Sequence, residues 1–245
     1  LAYSFLFELQ KIAEKKERII NVTLLGYNEK RIEPPDGINI IDIIRIRPKS
    51  LHFWKNIKKC FEKSDIIFDF TLGDSFSDIY GMKRFVISSM LKQKALDSRK
   101  MFVLAPQTYG PYKSFLSRTW ASEIIKHSTI VFSRDQKSSE IIECLSGRKP
   151  IIVTDIAFAL PYQTDINVNI SNRIRIGINP SGLLWNGGYT GKNQFGLNTD
   201  YQEYCNGLIS QLLAENLYEI HLIPHVNPAD TEGRESDLTV CEVLQ

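Results

Sequence analysis

The sequence predicts an α/β chain built on parallel sheet. Three observations carry this. Short apolar runs alternate with longer amphipathic runs along the whole chain, as strands alternate with crossover helices. The apolar runs, such as Ile66-Ile-Phe68, Met101-Phe-Val-Leu104 and Ile130-Val-Phe132, are continuous rather than alternating, as in strands covered on both faces. The connections are short, polar and rich in Gly, Pro, Asp and Ser.

Taken in order, residues 1–17 read as a helix, because Phe5, Leu6, Leu9, Ile12 and Ala13 share one face. Residues 19–25 form a strand ending at Gly26. Pro34, Pro35 and Gly37 mark a loop, and 38–46 a second strand. Pro48 and Ser50 open a helix over 51–63. Residues 66–70 are a buried strand, with a loop over 71–78 leaving its carboxyl end. A helix over 85–96, a strand over 101–105, a loop over 106–111 and a helix over 114–127 follow. The strand at 130–132 runs straight into a helix reaching 145, with Arg134 and Asp135 at the junction. Residues 151–155 are one more strand, and 156–160 an apolar edge.

Residues 161–172 are polar and lack helical period, so they read as a linker. The pattern then restarts. Residues 173–179 alternate as a strand, 180–191 are a glycine-rich loop, 199–216 a helix, and 219–223 a strand running into Pro224-His225. Two Rossmann-like domains facing across a cleft, over 1–160 and 173–245, are the economical expectation. The chain has no initiator methionine. It begins inside one amphipathic run and stops inside another at 237–245, so it reads as a fragment with a truncated second domain.

Composition narrows the function. Of 245 residues, 43% are hydrophobic and 24% charged, an ordinary globular balance. A net charge of +2 is too small to argue for nucleic acid. No apolar run approaches the roughly 20 residues that span a bilayer, and no signal-peptide pattern is present. Cys60, Cys144, Cys205 and Cys241 are scattered, which gives neither a zinc pattern nor a disulfide framework and fits a reducing cytoplasm. His221 and His225, with no expected set of carboxylate or thiolate partners, are too weak a ligand pair to argue for a metal site.

The loops at 71–78, 106–111, 133–135 and 154–155 all leave carboxyl ends of strands, where parallel sheets bind ligands. Arg134 stands where a helix N-terminus and a guanidinium fork would converge on an anion. The structural alternative is that Asp135 or Ser133 caps the helix and Arg134 pairs with a local acid.

Six short motifs stand in order along these loops: Leu72-Gly73-Asp74, Gln107-Thr-Tyr-Gly110-Pro111, Arg134-Asp135-Gln-Lys-Ser138, Asp155-Ile-Ala-Phe158, Gly177-Ile-Asn179-Pro-Ser181-Gly182 and Ile223-Pro-His225. As an ordered set they resemble the polysaccharide pyruvyl transferase family. The resemblance implies a GT-B-like pairing of the two domains. It implies transfer of a pyruvyl unit from phosphoenolpyruvate to a sugar of a cell-surface polysaccharide, as a pyruvate ketal. It implies a cytoplasmic enzyme, with the inner face of the membrane left open as its place of work. No cofactor beyond the donor substrate, no metal and no nucleic acid is expected, and the oligomeric state is open.

Under that reading Asp74 and His225 are the catalytic candidates, one as base on the acceptor hydroxyl, the other for acid/base work or a phosphate contact. Arg134, Gln107, Gly110, Asn179, Ser181 and Gly182 are donor-binding candidates. Asp78, Trp185 and Tyr189 are acceptor-binding candidates, although Asp78 reads better as a cap of a solvated loop. The family keeps more glycines around Gly73. Its late Arg-Leu-His segment would lie past Gln245, so the chain alone is expected to be inactive. Two other readings are a GT-B glycosyltransferase or sugar-nucleotide epimerase relative, and a non-catalytic glycan-binding member.

Overall fold

A computed structural model describes residues 2–26, 36–70, 75–161, 172–227 and 233–245. Gly73, Asp74 and nearly all of the expected linker lie outside the described residues. The chain divides into two units, Leu1–Gln163 and Thr164–Gln245.

The first unit runs α1 (Ala2–Lys16), β1 (Ile20–Gly26), β2 (Ile38–Arg45), α2 (Leu51–Lys63), β3 (Ile66–Asp69), β4 (Ser75–Phe76), α3 (Met82–Asp97), β5 (Met101–Leu104), β6 (Thr108–Tyr109), α4 (Phe115–His127), β7 (Ile130–Ser133), α5 (Gln136–Ser146) and β8 (Ile151–Ile152), then a 3-10 turn over Ile156–Ala159. Strands β3, β5, β7 and β8 lie side by side, every pair parallel. β1 pairs with β2, and β4 with β6, also parallel. This is the α/β class with parallel sheet that the apolar runs predict. The core gathers Phe53, Ile57 and Phe61 of α2, Phe85 of α3, Phe102 and Leu104 of β5, Ile124 and Ile125 of α4 and Ile142 of α5.

Local chemistry sets the element ends. Ser50 and Ser114 cap α2 and α4 by accepting from the amides of Phe53 and Ser117. Gly147 closes α5 in the left-handed region at φ +72°. Helix α3 starts at Met82 rather than Phe85, because Gly81 (φ +100°) turns the chain and accepts from the Phe85 amide.

Two expected loops each hold a strand. Residues 75–76 and 108–109 pair as β4 and β6, burying Phe76 and Tyr109. A two-residue strand has no period to read. The apolar edge at 156–160 is the 3-10 turn, which Asp155 caps by accepting from the Ala157 amide at 2.9 Å.

The turn after β4 is tied to the segment after β6. The Ser77 hydroxyl donates to the Pro111 carbonyl at 2.6 Å. Asp78, buried, accepts from the amides of Lys113 and Ser114 at 2.9 and 3.0 Å, and from the Ser117 hydroxyl at 2.6 Å. Burial alone raises this carboxyl. The Ser117 hydroxyl and the two amides outweigh burial and hold it below its ordinary value. A lowered folded-state value stabilises the fold above the ordinary carboxylate range, and that contribution is lost as pH falls through the lowered value. Asp78→Asn is therefore expected to cost about 2–3 kcal/mol at neutral pH, since donors lose a charged acceptor. Urea unfolding should show the gap to the parent narrowing below about pH 4.

The second unit runs β9 (Ile174–Ile178), α6 (Gly182–Trp185), α7 (Tyr201–Ala214), β10 (Tyr218–Leu222) and α8 (Asp237–Val243). β9 and β10 are parallel, with Ile176 opposite Ile220, and α7 lies between them in the chain. The short α6 sits inside the expected glycine loop, capped by Ser181. Among the described residues no helix is long and apolar enough to cross a membrane.

Candidate functional site

The carboxyl edge of the first unit's sheet carries one cluster. Ser133 ends β7 with its hydroxyl donating to the Asp135 carbonyl at 2.7 Å. The Asp135 carboxylate caps α5, accepting from the Ser138 amide at 2.7 Å and its hydroxyl at 2.9 Å. The Ser138 oxygen accepts in turn from the Tyr109 amide at 3.0 Å, which fixes α5 to β6.

Arg134 stands between these ties. Its Nε donates to Thr108 Oγ1 at 2.7 Å and its Nη1 to Asp155 Oδ2 at 2.8 Å. Its own amide donates to the Gln107 carbonyl at 3.4 Å. One guanidinium thus ties β6 to the turns that follow β7 and β8. It does pair with an acid, but one 21 residues along the chain rather than a neighbour. The side chain keeps 29% of its surface open, and no described residue accepts from Nη2.

Behind Arg134 lies a buried polar network. The Gln107 side chain is 2% exposed, and its Nε2 lies 3.4 Å from Asp69 Oδ2 and 3.3 Å from the Tyr109 hydroxyl. The amide must be this way round, because a carboxylate can only accept. Gln107 Oε1 is then left buried with no partner among the described residues. Asp69, at the end of β3, also takes Lys92 Nζ of α3 at 3.1 Å. Lys92 is a fully buried cation that also donates to Ser88 Oγ at 2.7 Å and lies 4.4 Å above the Phe76 ring. Burial pulls its ammonium below the usual lysine range, and the Asp69 carboxylate opposes that.

Gly110 shapes the same loop. Its φ is +68°, its amide is spent on the Phe76 carbonyl at 2.9 Å, and a Cβ there would meet Ile141 Cδ1 at 3.2 Å. Asp78 has both oxygens occupied by the ties described above.

The second unit brings four of the expected residues to one point. Asn179 follows β9, Ser181 and Gly182 open α6, and His225 follows β10. Asn179, Gly182 and His225 meet around Asp237, the first residue of α8, and Ser181 caps α6 beside them with its amide donating to the Tyr201 hydroxyl. Asp237 Oδ1 accepts from the Gly182 amide at 2.7 Å, and its Oδ2 from the amides of Val226 and His225 at 2.8 and 3.2 Å. Asn179 Nδ2 reaches the same carboxylate at 3.5 Å and the Ile223 carbonyl at 2.7 Å. Burial raises the Asp237 carboxyl, but the Gly182 and Val226 amides more than compensate and hold it below its ordinary value.

His225 presents an exposed imidazole. Trp185 is half-buried, and Tyr189 is 48% exposed with its carbonyl taken by Arg234 Nη1. Among the described residues no group of three or more His, Cys, Asp and Glu could hold a metal.

Residues 8–237, a span holding both clusters, match the family model for polysaccharide pyruvyl transferase. The chain belongs to the polysaccharide pyruvyl transferase family. Comparison with curated proteins and with solved structures gives no match. The family implies a pyruvyl-transferring enzyme of polysaccharide synthesis.

In this pyruvyl transferase family member, the residues that sequence reasoning missed are Lys92, Asp69 and Asp237. Lys92 sits in a Lys92-Gln-Lys94 stretch that reads as a wetted helix face. Asp69 carried a signal, an acid at the carboxyl end of a buried strand. Asp237 reads as an ordinary first-turn helix acid.

Gly182 shows how tightly the second cluster is built. A Cβ there would lie 2.5 Å from the Ser236 carbonyl oxygen and 2.6 Å from its carbon. Backbone cannot rotate away as a side chain can. Gly182→Ala is expected to cost about 1–3 kcal/mol, the range for forced overpacking, and to fall in its upper part because the clash is with backbone. A lowered melting temperature with unchanged helix content would bear this out. A melting curve that superimposes on the parent's would refute it.

Proposed function

We propose that the protein transfers a pyruvyl group from phosphoenolpyruvate to a sugar of a cell-surface polysaccharide: one hydroxyl adds to the enol carbon that bears the phosphate as the neighbouring methylene takes a proton, and a second hydroxyl displaces phosphate to close the ketal. The observation that carries this reading is Arg134. A partly exposed guanidinium stands at the start of α5, braced on two sides by Thr108 and Asp155. The donor has a carboxylate beside a phosphate, and a braced planar fork suits either.

Arg134 alone is not enough. An anion at a helix end gains about 0.3–1 kcal/mol, whereas micromolar affinity needs about 8 kcal/mol. Gln107 and Gly110, expected as donor contacts, are buried with their amides spent internally, so in the first unit they would act by shaping the loop beside Arg134. Asn179, Ser181 and Gly182 form the donor-side group in the second unit. The Gly182 and His225 amides and Asn179 Nδ2 are committed to Asp237 and the Ile223 carbonyl, so this group would act through the Ser181 hydroxyl and the His225 ring, with Asn179 and Gly182 positioning them.

The reaction needs a proton for the methylene carbon and an acceptor for the hydroxyl proton. We assign the first to His225 and the second to Asp74. Trp185 and Tyr189 are assigned to the acceptor sugar. Asp78 is assigned to holding the loop beside it. A cytoplasmic setting suits four free cysteines.

The test is titration with phosphoenolpyruvate, followed by calorimetry and thermal shift. Saturable stabilisation by phosphoenolpyruvate is expected. Stabilisation by a nucleotide-sugar and none by phosphoenolpyruvate would overturn the reading. Arg134→Ala should weaken donor binding at least about tenfold, or 1.4 kcal/mol, and Arg134→Lys should restore little because a point charge cannot replace the fork. Affinity within twofold of the parent would remove Arg134 from the site.

A further inference from the structure

We infer that the first unit carries a docking surface for a bilayer containing anionic lipids. The surface is made by the two segments stitched through Ser77 and Asp78. One presents Ile79, Tyr80 and Met82, and the other Phe115 and Leu116. The two sets are adjacent, since Ser114 Oγ lies 3.8 Å from Met82 Sδ.

These side chains are unusually open for their type. Phe115 is 84% exposed and Leu116 56%. Both stand in the first turn of α4, where polar and acidic residues are normally favoured. Neither serves the cap, which Ser114 supplies.

Within the two segments the exposed charges beside the patch are basic, and the nearest carboxylates on the Leu116 side, Asp97 and Glu123, lie farther along the groove between α3 and α4. Lys83 and Lys113 are exposed beside it, and the Arg84 guanidinium lies 5.1 Å from the Tyr80 ring centre. Residues 79–96 and 111–122 contain no Asp or Glu at all. The one carboxylate of the stitch, Asp78, is buried and spent on internal donors. The bias is local, because the whole chain carries 30 basic and 28 acidic residues.

Protruding aromatic and aliphatic side chains ringed by cations match a membrane interface. The apolar groups enter the headgroup boundary while lysines meet lipid phosphates. A second copy of the chain is a poor occupant, because a two-fold contact would set this cationic ring against itself. The patch borders the loops that lead into the proposed donor site, so a bound membrane would bring membrane-held glycan near it. Vesicle binding by this surface is independent of whether the donor site takes phosphoenolpyruvate.

The experiment is co-sedimentation with phosphatidylcholine vesicles, with and without about 30 mol% phosphatidylglycerol. Binding to the anionic vesicles only, weakening steeply as salt shortens the range of charge, is the expected result. The pair Phe115→Ser and Leu116→Ser should weaken it at least about tenfold with an unchanged melting temperature, since both residues are exposed. Lys83→Glu with Lys113→Glu should remove the preference for anionic lipid. No binding to anionic vesicles, or equal binding by parent and apolar variant, would overturn the inference. So would a concentration-dependent dimer that the apolar variant abolishes. Phosphoenolpyruvate titration of the apolar variant should match the parent, which keeps the two readings separable.

Discussion

Replacing Lys92 by alanine is expected to destabilise the first unit by about 3–5 kcal/mol, the range for removing one partner of a buried ion pair. Lys92 Nζ is held by Asp69 and Ser88 over the Phe76 face, and its side chain is 1% exposed. Alanine removes the cation and also leaves a hole along the aliphatic stem. Lys92→Met separates the two effects by keeping most of the volume. It should cost clearly less, because Asp69 keeps some contact with water at 20% exposure. Asp69→Asn should be costly in its own way, leaving a buried cation with one hydroxyl and a ring. A double variant, Lys92→Met with Asp69→Asn, should lose less than the sum of the two. Additive losses in chemical denaturation would show that the pair does not act as a unit. The effect should reach the donor site, since Asp69 also orients Gln107, whose carbonyl accepts from the Arg134 amide.

Asp237→Ala is the second large effect. The variant would strip the acceptor from three backbone amides and the Asn179 side chain. Buried donors without an acceptor cost about 1–3 kcal/mol each when truly sealed, and some will find water, so about 3 kcal/mol in all is expected. The local readout is hydrogen exchange. The amides of Gly182 and Val226 should exchange faster, while those of β5 in the first unit stay as protected as before. Protection unchanged at Gly182 would mean that α6 is held by something else. The acid response carries its own sign. The folded-state carboxyl is held low, so its contribution is present above the ordinary carboxylate range and lost as pH falls through the lowered value. Asp237→Ala should lack that component of acid unfolding.

Much of this architecture was readable from residue order. Long amphipathic runs such as 51–63 and continuous apolar runs such as 101–104 report their own structure, because period and burial are local properties. The rim position of Arg134 followed from the same logic, with a strand ending where a helix begins. What escaped reading depends on distance along the chain. β4 and β6 are each two residues long and exist only because 75–76 and 108–109 find each other. The Arg134–Asp155 pair spans 21 residues, and Gly182 reaches Asp237 across 55. Lys92 is harder still. Nothing in its neighbours distinguishes it from Lys94, which pairs with Asp97 in the open, and only packing against Phe76 and Asp69 does so.

The stitch through Ser77 and Asp78 has a bearing on how such proteins can be re-engineered. Asp78 contributes only acceptors, and the donors that satisfy it come from residues 113, 114 and 117. A chimaera that imports one segment from a relative would bring a carboxylate without its donors, or donors without their carboxylate. Residues 75–82 and 108–118 therefore form a single exchangeable cassette, discontinuous in the gene but indivisible in the folded chain.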